Sequence, residues 1–141
     1  MAVSLGFAQT LLLAEGIGGW EQKGYAVAAS AEYEKGVVLP LLPPGELKKL
    51  LARQETFTLF DTRERDEFAE GHIAGAINTP LSDFSNSPAL SGDRTKRVII
   101  YCSTGARNYS AYRKLRRLGY TDISQAILNG WLAAGLPLAQ Q

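Results

Sequence analysis

Cysteine, histidine and methionine each occur once in the 141 residues, and these scarcities bound the chemistry. A single cysteine, Cys102, cannot close an internal disulfide, and with one His it offers no zinc-ligand spacing. A metal-free protein of a reducing compartment is the natural expectation. An excess of one charge is missing too. The net charge of +1, with 21% charged and 45% hydrophobic residues, gives no global pull toward nucleic acid or membrane. No run approaches the ~18 consecutive apolar residues that a membrane span requires. The opening MAVSLGFAQTLLLAEG lacks a basic region, and Gln9 interrupts its short apolar run, so it does not read as a signal peptide. The expected location is the cytoplasm, with neither nucleic acid nor membrane as partner.

What the chain does have is an alternation of strand-like and helix-like segments from residue 43 onward. Pro43 and Pro44 open ELKKLLAR, where Leu47, Leu50 and Leu51 recur at helical spacing. Phe57 to Phe60 is a short β-favouring run ending at Asp61, and a brief helix, Arg65 to Ala69, stops at Gly71. GHIAGAINTP reads as an ordered loop, Leu81 to Leu90 as one more short helix, and SGDRTK as a solvated turn. Val98 to Tyr101 is an unbroken apolar run of the kind found in strands covered on both faces. Ala111, Leu115 and Leu118 then repeat at i, i+4 and i+7, which predicts a helix from Arg107 to Leu118 ended by Gly119. The fold class is α/β, built on a parallel sheet with helices on both faces.

The chain also carries an internal repeat. Residues 5–27, LGFAQTLLLAEGIGGWEQKGYAV, and 118–138, LGYTDISQAILNGWLAAGLPL, share an opening LG-aromatic, a Gly-Trp pair and a later Gly, with two residues fewer in the second copy. The reading is a tail of a preceding domain over residues 1–36, followed by a complete domain over 37–141. Such a tail is too short for its own core. Leu11 to Leu13, Ile17 and Trp20 are expected to bury against the following domain or, by exchange, in a homodimer. The shorter second copy predicts a tightened last strand-to-helix connection or a reduced helix.

VIIYCSTGARNYS, residues 98–110, places Cys102 between an apolar strand and a helix. Successive backbone N–H groups converge there, the helix start adds partial positive charge, and Arg107 adds a full one. Gly105 permits a turn that other residues resist. Such a cradle suits an anionic substrate or a negatively charged sulfur adduct on the cysteine. A free cysteine is otherwise commonly a buried, inert small hydrophobe. Burial alone would require neither the Gly nor the Arg, so Cys102 is read as a nucleophile.

Residues 45–138 resemble a rhodanese domain. The resemblance rests on Asp61-Thr62-Arg63 with Glu67-Phe68, on Gly71-His72-Ile73-Ala74-Gly75-Ala76, on the loop from Cys102 to Arg107, and on Leu118-Gly119-Tyr120 with the Gly-Trp ending. It implies a central parallel sheet of about five strands, flanked by helices, and the internal repeat adds the expectation of a fragment of a tandem protein. It implies sulfurtransferase chemistry through a Cys102 persulfide, without a cofactor: the cysteine takes the outer sulfur of a small-molecule donor, and a thiol, cyanide or a protein acceptor removes it. Ser103, Thr104, Gly105, Ala106 and Arg107 would bind substrate, and Asp61 and Arg63 would support the loop. His72 is read as structural rather than as a general base. The basic run Arg113, Lys114, Arg116 and Arg117 is a solvated face that could draw anionic donors or an acidic partner.

Three rivals stand beside this. Phosphatases and arsenate reductases with a cysteine loop ending in arginine hold five residues between the two, whereas Cys102 and Arg107 enclose four. A non-catalytic interaction or regulatory module of the same fold usually lacks the cysteine. Positions 103–106 carry no basic residue, which leaves open whether the donor is thiosulfate-like or a persulfide.

Overall fold

Pro43 takes the extended backbone favoured before proline, and Pro44, with φ preset and no N–H to lose, opens the first helix. In the computed structural model, which describes residues 39–90 and 92–140, this helix α1 runs Pro44–Ala52 and buries Leu47 completely. β1 (Phe57–Asp61), α2 (Arg65–Glu70) and β2 (Ile77–Asn78) follow. Two 3-10 turns, Phe84–Asn86 and Pro88–Leu90, lead to β3 (Arg97–Cys102), α3 (Ala106–Arg117), β4 (Ile123–Ile127) and α4 (Leu128–Ala133). They belong to one compact unit, Leu39–Gln141. The expected tail at 1–36, the first repeat copy and the packing of Leu11 to Leu13, Ile17 and Trp20 lie outside the described residues.

The strands are all parallel in the order β2-β1-β3-β4. The expected count of about five is corrected to four among the described residues, with a fifth position reduced to a single bridge from Leu41 to Gln125. Gln125 N–H donates to Pro40 O at 2.8 Å and Leu42 N–H to Gln125 O at 2.7 Å. Pro40, Pro43 and Pro44 have no N–H to continue the ladder, so the segment stops after one step.

Two further expectations are corrected. Ile77 and Asn78, read as loop, pair with Phe60 and Asp61 as β2, a strand too short to show any periodicity. Leu81 to Leu90, read as one helix, is split into 3-10 turns because Pro88 holds the preceding Ser87 extended, at φ −65° and ψ 126°.

The core lies on both faces of the sheet. Leu59, Ile99, Tyr101 and Ala126 face one way, into a cluster with Leu47, Ile73, Leu128 and Trp131. Alternate residues of β3 face the other way, where α3 packs and buries Ala111 and Leu115. α3 ends as expected, within one residue. Gly119, at φ +93°, lets its own N–H reach Arg116 O and the Tyr120 N–H reach Leu115 O, each at 3.1 Å. β4 runs into α4 with no connecting residue, and α4 is only six residues long, the tightened ending that the shorter repeat predicts. Among the described residues no helix is long and apolar enough to cross a membrane.

Candidate active site

Cys102 is the last residue of β3 and only 2% exposed. The chain turns at once. Gly105, at φ +97°, precedes the first residue of α3 and donates its N–H to Cys102 Sγ at 3.1 Å. That left-handed conformation favours glycine, and a Cβ there would sit 2.7 Å from Ile127 Cδ1. The Ala106 and Arg107 amides, the first two of α3, follow directly, while the Asn108 N–H is already donated to Gly105 O at 3.0 Å. Sulfur, turn and helix start are thus adjacent, with one backbone N–H, that of Gly105, on the sulfur.

Two neighbours fix the loop from its sides. Asn129 N–H donates to Ser103 O at 3.1 Å, tying the loop to α4. On the other side stands Glu67 of α2. Its Oε2 accepts Arg107 Nη1 at 2.6 Å and the Glu64 N–H at 3.1 Å, while Ser103 Oγ lies 3.5 Å from Oε1. The Arg107 bond, above all, holds the Glu67 carboxyl below its ordinary range. The same carboxylate bond raises Arg107 above its ordinary value, against burial, and charge on Cys102 adds to the effect. Thr104 and Ala106 are exposed, whereas Ser103, Gly105 and Arg107 are half-buried.

Asp61 and Arg63 form a separate assembly. Register pairs Asp61 with Tyr101, so the two side chains share one face of the sheet, and Cys102, one residue on, points to the other. Arg63 Nη2 donates to Asp61 Oδ2 at 2.6 Å and to Gly71 O at 2.7 Å, and its Nε lies 3.0 Å from both Asp61 oxygens. Burial opposes the charge on Arg63, but the Asp61 carboxylate outweighs it and keeps the guanidinium above its ordinary value. The Tyr101 hydroxyl accepts the Ile73 N–H at 3.1 Å; burial first, then the Asp61 charge, push its phenol far above the usual range. The pair therefore anchors the strand and the Gly71 loop behind Cys102 and makes no contact with its sulfur.

His72 has a comparable duty. Its Nδ1 lies 3.0 Å from Phe68 O, an atom that can only accept, so this nitrogen carries the proton. The ring stacks on Phe68 at 3.7 Å, and the backbone bridges Ala139.

Two residues of this arrangement escape sequence reasoning. Glu67 is visible in the sequence only as a neighbour of Phe68, because its partner Arg107 is 40 positions away. Asn108, fully buried in the first turn of α3, donates Nδ2 to Ala126 O at 3.0 Å and to Gln125 Oε1 at 3.2 Å, fastening the helix start to β4. A polar residue among the apolar positions of α3 was the available signal.

The sequence profile described as Rhodanese-like domain matches residues 43–133. The chain belongs to the rhodanese-like family. Among solved structures, a human single domain sulfurtransferase is 30% identical, with 68% of this chain and 97% of that one covered at a TM-score of 0.60. Thiosulfate sulfurtransferase from Pseudomonas aeruginosa is 25% identical over 97% of this chain and 29% of its own, at a TM-score of 0.67. Among curated relatives, the tRNA uridine(34) hydroxylase of Streptococcus sanguinis is 36% identical over 97 residues, covering 65% of this chain. The chain spans 29% of the length of the curated relatives it matches.

Proposed function

We propose that this rhodanese-like domain is a sulfurtransferase that carries a sulfane sulfur on Cys102. The observation that carries the reading is the Sγ of Cys102 held by the Gly105 N–H at 3.1 Å, at the entrance to a helix that Arg107 joins one residue later. The Cys102 thiolate attacks the transferable sulfur of the donor; the bond joining that sulfur to the rest of the donor breaks (S–S in thiosulfate or a persulfide, C–S in mercaptopyruvate), a new S–S bond forms on Cys102, and the remainder leaves with the electron pair. With the Gly105 N–H holding Sγ, the Ala106 and Arg107 amides at the start of α3 are the groups that meet the charge of the terminal sulfur. A thiol or cyanide removes that sulfur and restores the thiolate. Ser103, Thr104, Ala106 and Arg107 surround the transfer, and Asp61 and Arg63 support it from behind.

A second reading is favoured by the 36% identity to proteins named tRNA uridine(34) hydroxylase, in which this domain would serve an RNA-modifying enzyme. Hydroxylation requires an oxidant, and most of those relatives lies beyond the matched stretch, so sulfur transfer is the reading this domain's own residues support.

The test is intact mass after incubation with thiosulfate, then with mercaptopyruvate, then with a glutathione persulfide, followed by thiocyanate formation on adding cyanide. Wild type gains ~32 Da, one sulfur atom, on Cys102, and Cys102→Ser gains nothing. No adduct with any donor, and no thiocyanate, overturns the proposal.

A further inference from the structure

The two arginines of the site are both matched by carboxylates. Arg63 is bonded to Asp61 on the far face of the sheet, and Arg107 is bonded to Glu67 at 2.6 Å. Around Glu67, α2 presents Asp66 and Glu70, with Glu64 just before it, all exposed, and its one arginine, Arg65, is paired with Asp83 at 3.2 Å. The basic residues Arg113, Lys114, Arg116 and Arg117 stand in the second half of α3. At ~1.5 Å per residue they lie ~10–16 Å along the axis from the helix start, beyond the ~8 Å screening length of physiological salt. No residue from Ser103 to Ala106 is charged. Backbone amides can hold one sulfur anion, but a sulfonate group arriving with its own charge meets a guanidinium whose charge is already compensated.

From this geometry we infer that Glu67 is the specificity-determining residue of the site, withholding Arg107 from dianionic donors and favouring protonated persulfides, R–S–SH. The inference rests on the sulfurtransferase reading above. With such a donor the Cys102 thiolate attacks the outer sulfur, the donor's S–S bond breaks, the proton stays on the transferred sulfur, and R–S⁻ leaves; Cys102–S–SH forms with charge conserved. With thiosulfate the same attack brings a monoanion onto a dianion and releases sulfite, so the approach depends on a free cation that the Glu67 bond removes. Glu67 touches neither donor nor Sγ and acts through Arg107. It is also a positioning residue for the loop, through Ser103, and the two roles predict different outcomes.

The experiment measures the rate of the ~32 Da gain on Cys102 against donor concentration, for thiosulfate and for glutathione persulfide, in wild type, Glu67→Gln and Glu67→Asp. Glu67→Gln keeps shape and hydrogen bonding but frees the guanidinium charge. It is expected to lower the half-saturating thiosulfate concentration by about fivefold or more, the low end for one unit charge near a protein surface, with the persulfide rate changed less than twofold. Added salt should erase that gain, since the freed charge is open to screening. Glu67→Asp, which keeps the charge, should retain the wild-type donor ranking. Equal losses with both donors in Glu67→Gln would show a purely structural role and overturn the inference, as would wild type already loading thiosulfate in preference to the persulfide. No adduct from either donor in any variant would instead overturn the sulfurtransferase reading itself.

Discussion

Two arginine–carboxylate pairs flank the turn into α2, and both close at 2.6 Å, yet they do different work. The side chains of Arg63 and Asp61 are 7% and 0% exposed, whereas those of Arg107 and Glu67 are 36% and 30% exposed. The buried pair also holds the Gly71 carbonyl and lies on the Tyr101 face of the sheet, opposite to Cys102. The outer pair bridges α2 to the first turn of α3 and brings Ser103 with it. Equal length therefore says nothing about role. Burial decides what losing a partner costs, and the face of the sheet decides whether the sulfur feels it.

The largest effect should come from splitting the inner pair. Arg63→Ala leaves Asp61 as an uncompensated buried carboxylate, for which ~3–5 kcal/mol is typical. In a unit of this size that lowers Tm by roughly 15 °C or more, read by thermal melting. Replacing both partners, Asp61→Leu with Arg63→Met, should recover part of the loss because no buried charge is left. A Tm for Arg63→Ala within a few degrees of wild type would break the distinction between the pairs.

Next comes the turn between the outer pair and the sulfur. Gly105→Ala must adopt φ +97° and push Ile127 aside. An alanine strained by ~1–2 kcal/mol will tilt the N–H away from Sγ, and loading of Cys102 should fall about tenfold while Arg107 and Glu67 remain paired. Unchanged loading would mean that the Gly105 bond to sulfur is not needed. Asn108→Ala should be milder. It removes two bonds to β4, each worth ~0.5–1.5 kcal/mol, and lowers Tm by several degrees, again measured by melting.

The sequence makes one side of this comparison more legible than the other. β3, the cradle and α3 are readable because an apolar run, a glycine at the turn and a 3.6-residue period agree with one another locally. Asp61 and Arg63 are close enough in sequence to be seen as a pair, but not what they hold, since Gly71 and Tyr101 are placed by sheet register. Glu67 to Arg107 is a tertiary contact across 40 positions, and no local pattern announces it. β2, with two residues, is similarly set by the strand beside it. The fifth strand failed for a reason that the sequence does hold: prolines at 40, 43 and 44 deny the ladder its donors.

The smallest effect concerns the outer pair and acid. The Glu67 carboxyl, held by Arg107 first of all, titrates below its ordinary ~4.3. A depressed folded value means that its stabilisation is complete above the unfolded pKa and disappears as pH falls through the folded one. Because both side chains are about one-third exposed, the contribution should stay under ~1 kcal/mol. Protonated Glu67 closely resembles glutamine, so wild type and Glu67→Gln should differ by a small constant Tm above about pH 5, where the unfolded carboxyl is ionised, and converge as pH falls through the depressed folded value. Melting both proteins from pH 7 to 3 measures this. A wild type less stable than Glu67→Gln at neutral pH would mean that the surroundings oppose the Glu67 charge more than Arg107 favours it, and the outer pair would then not stabilise the fold.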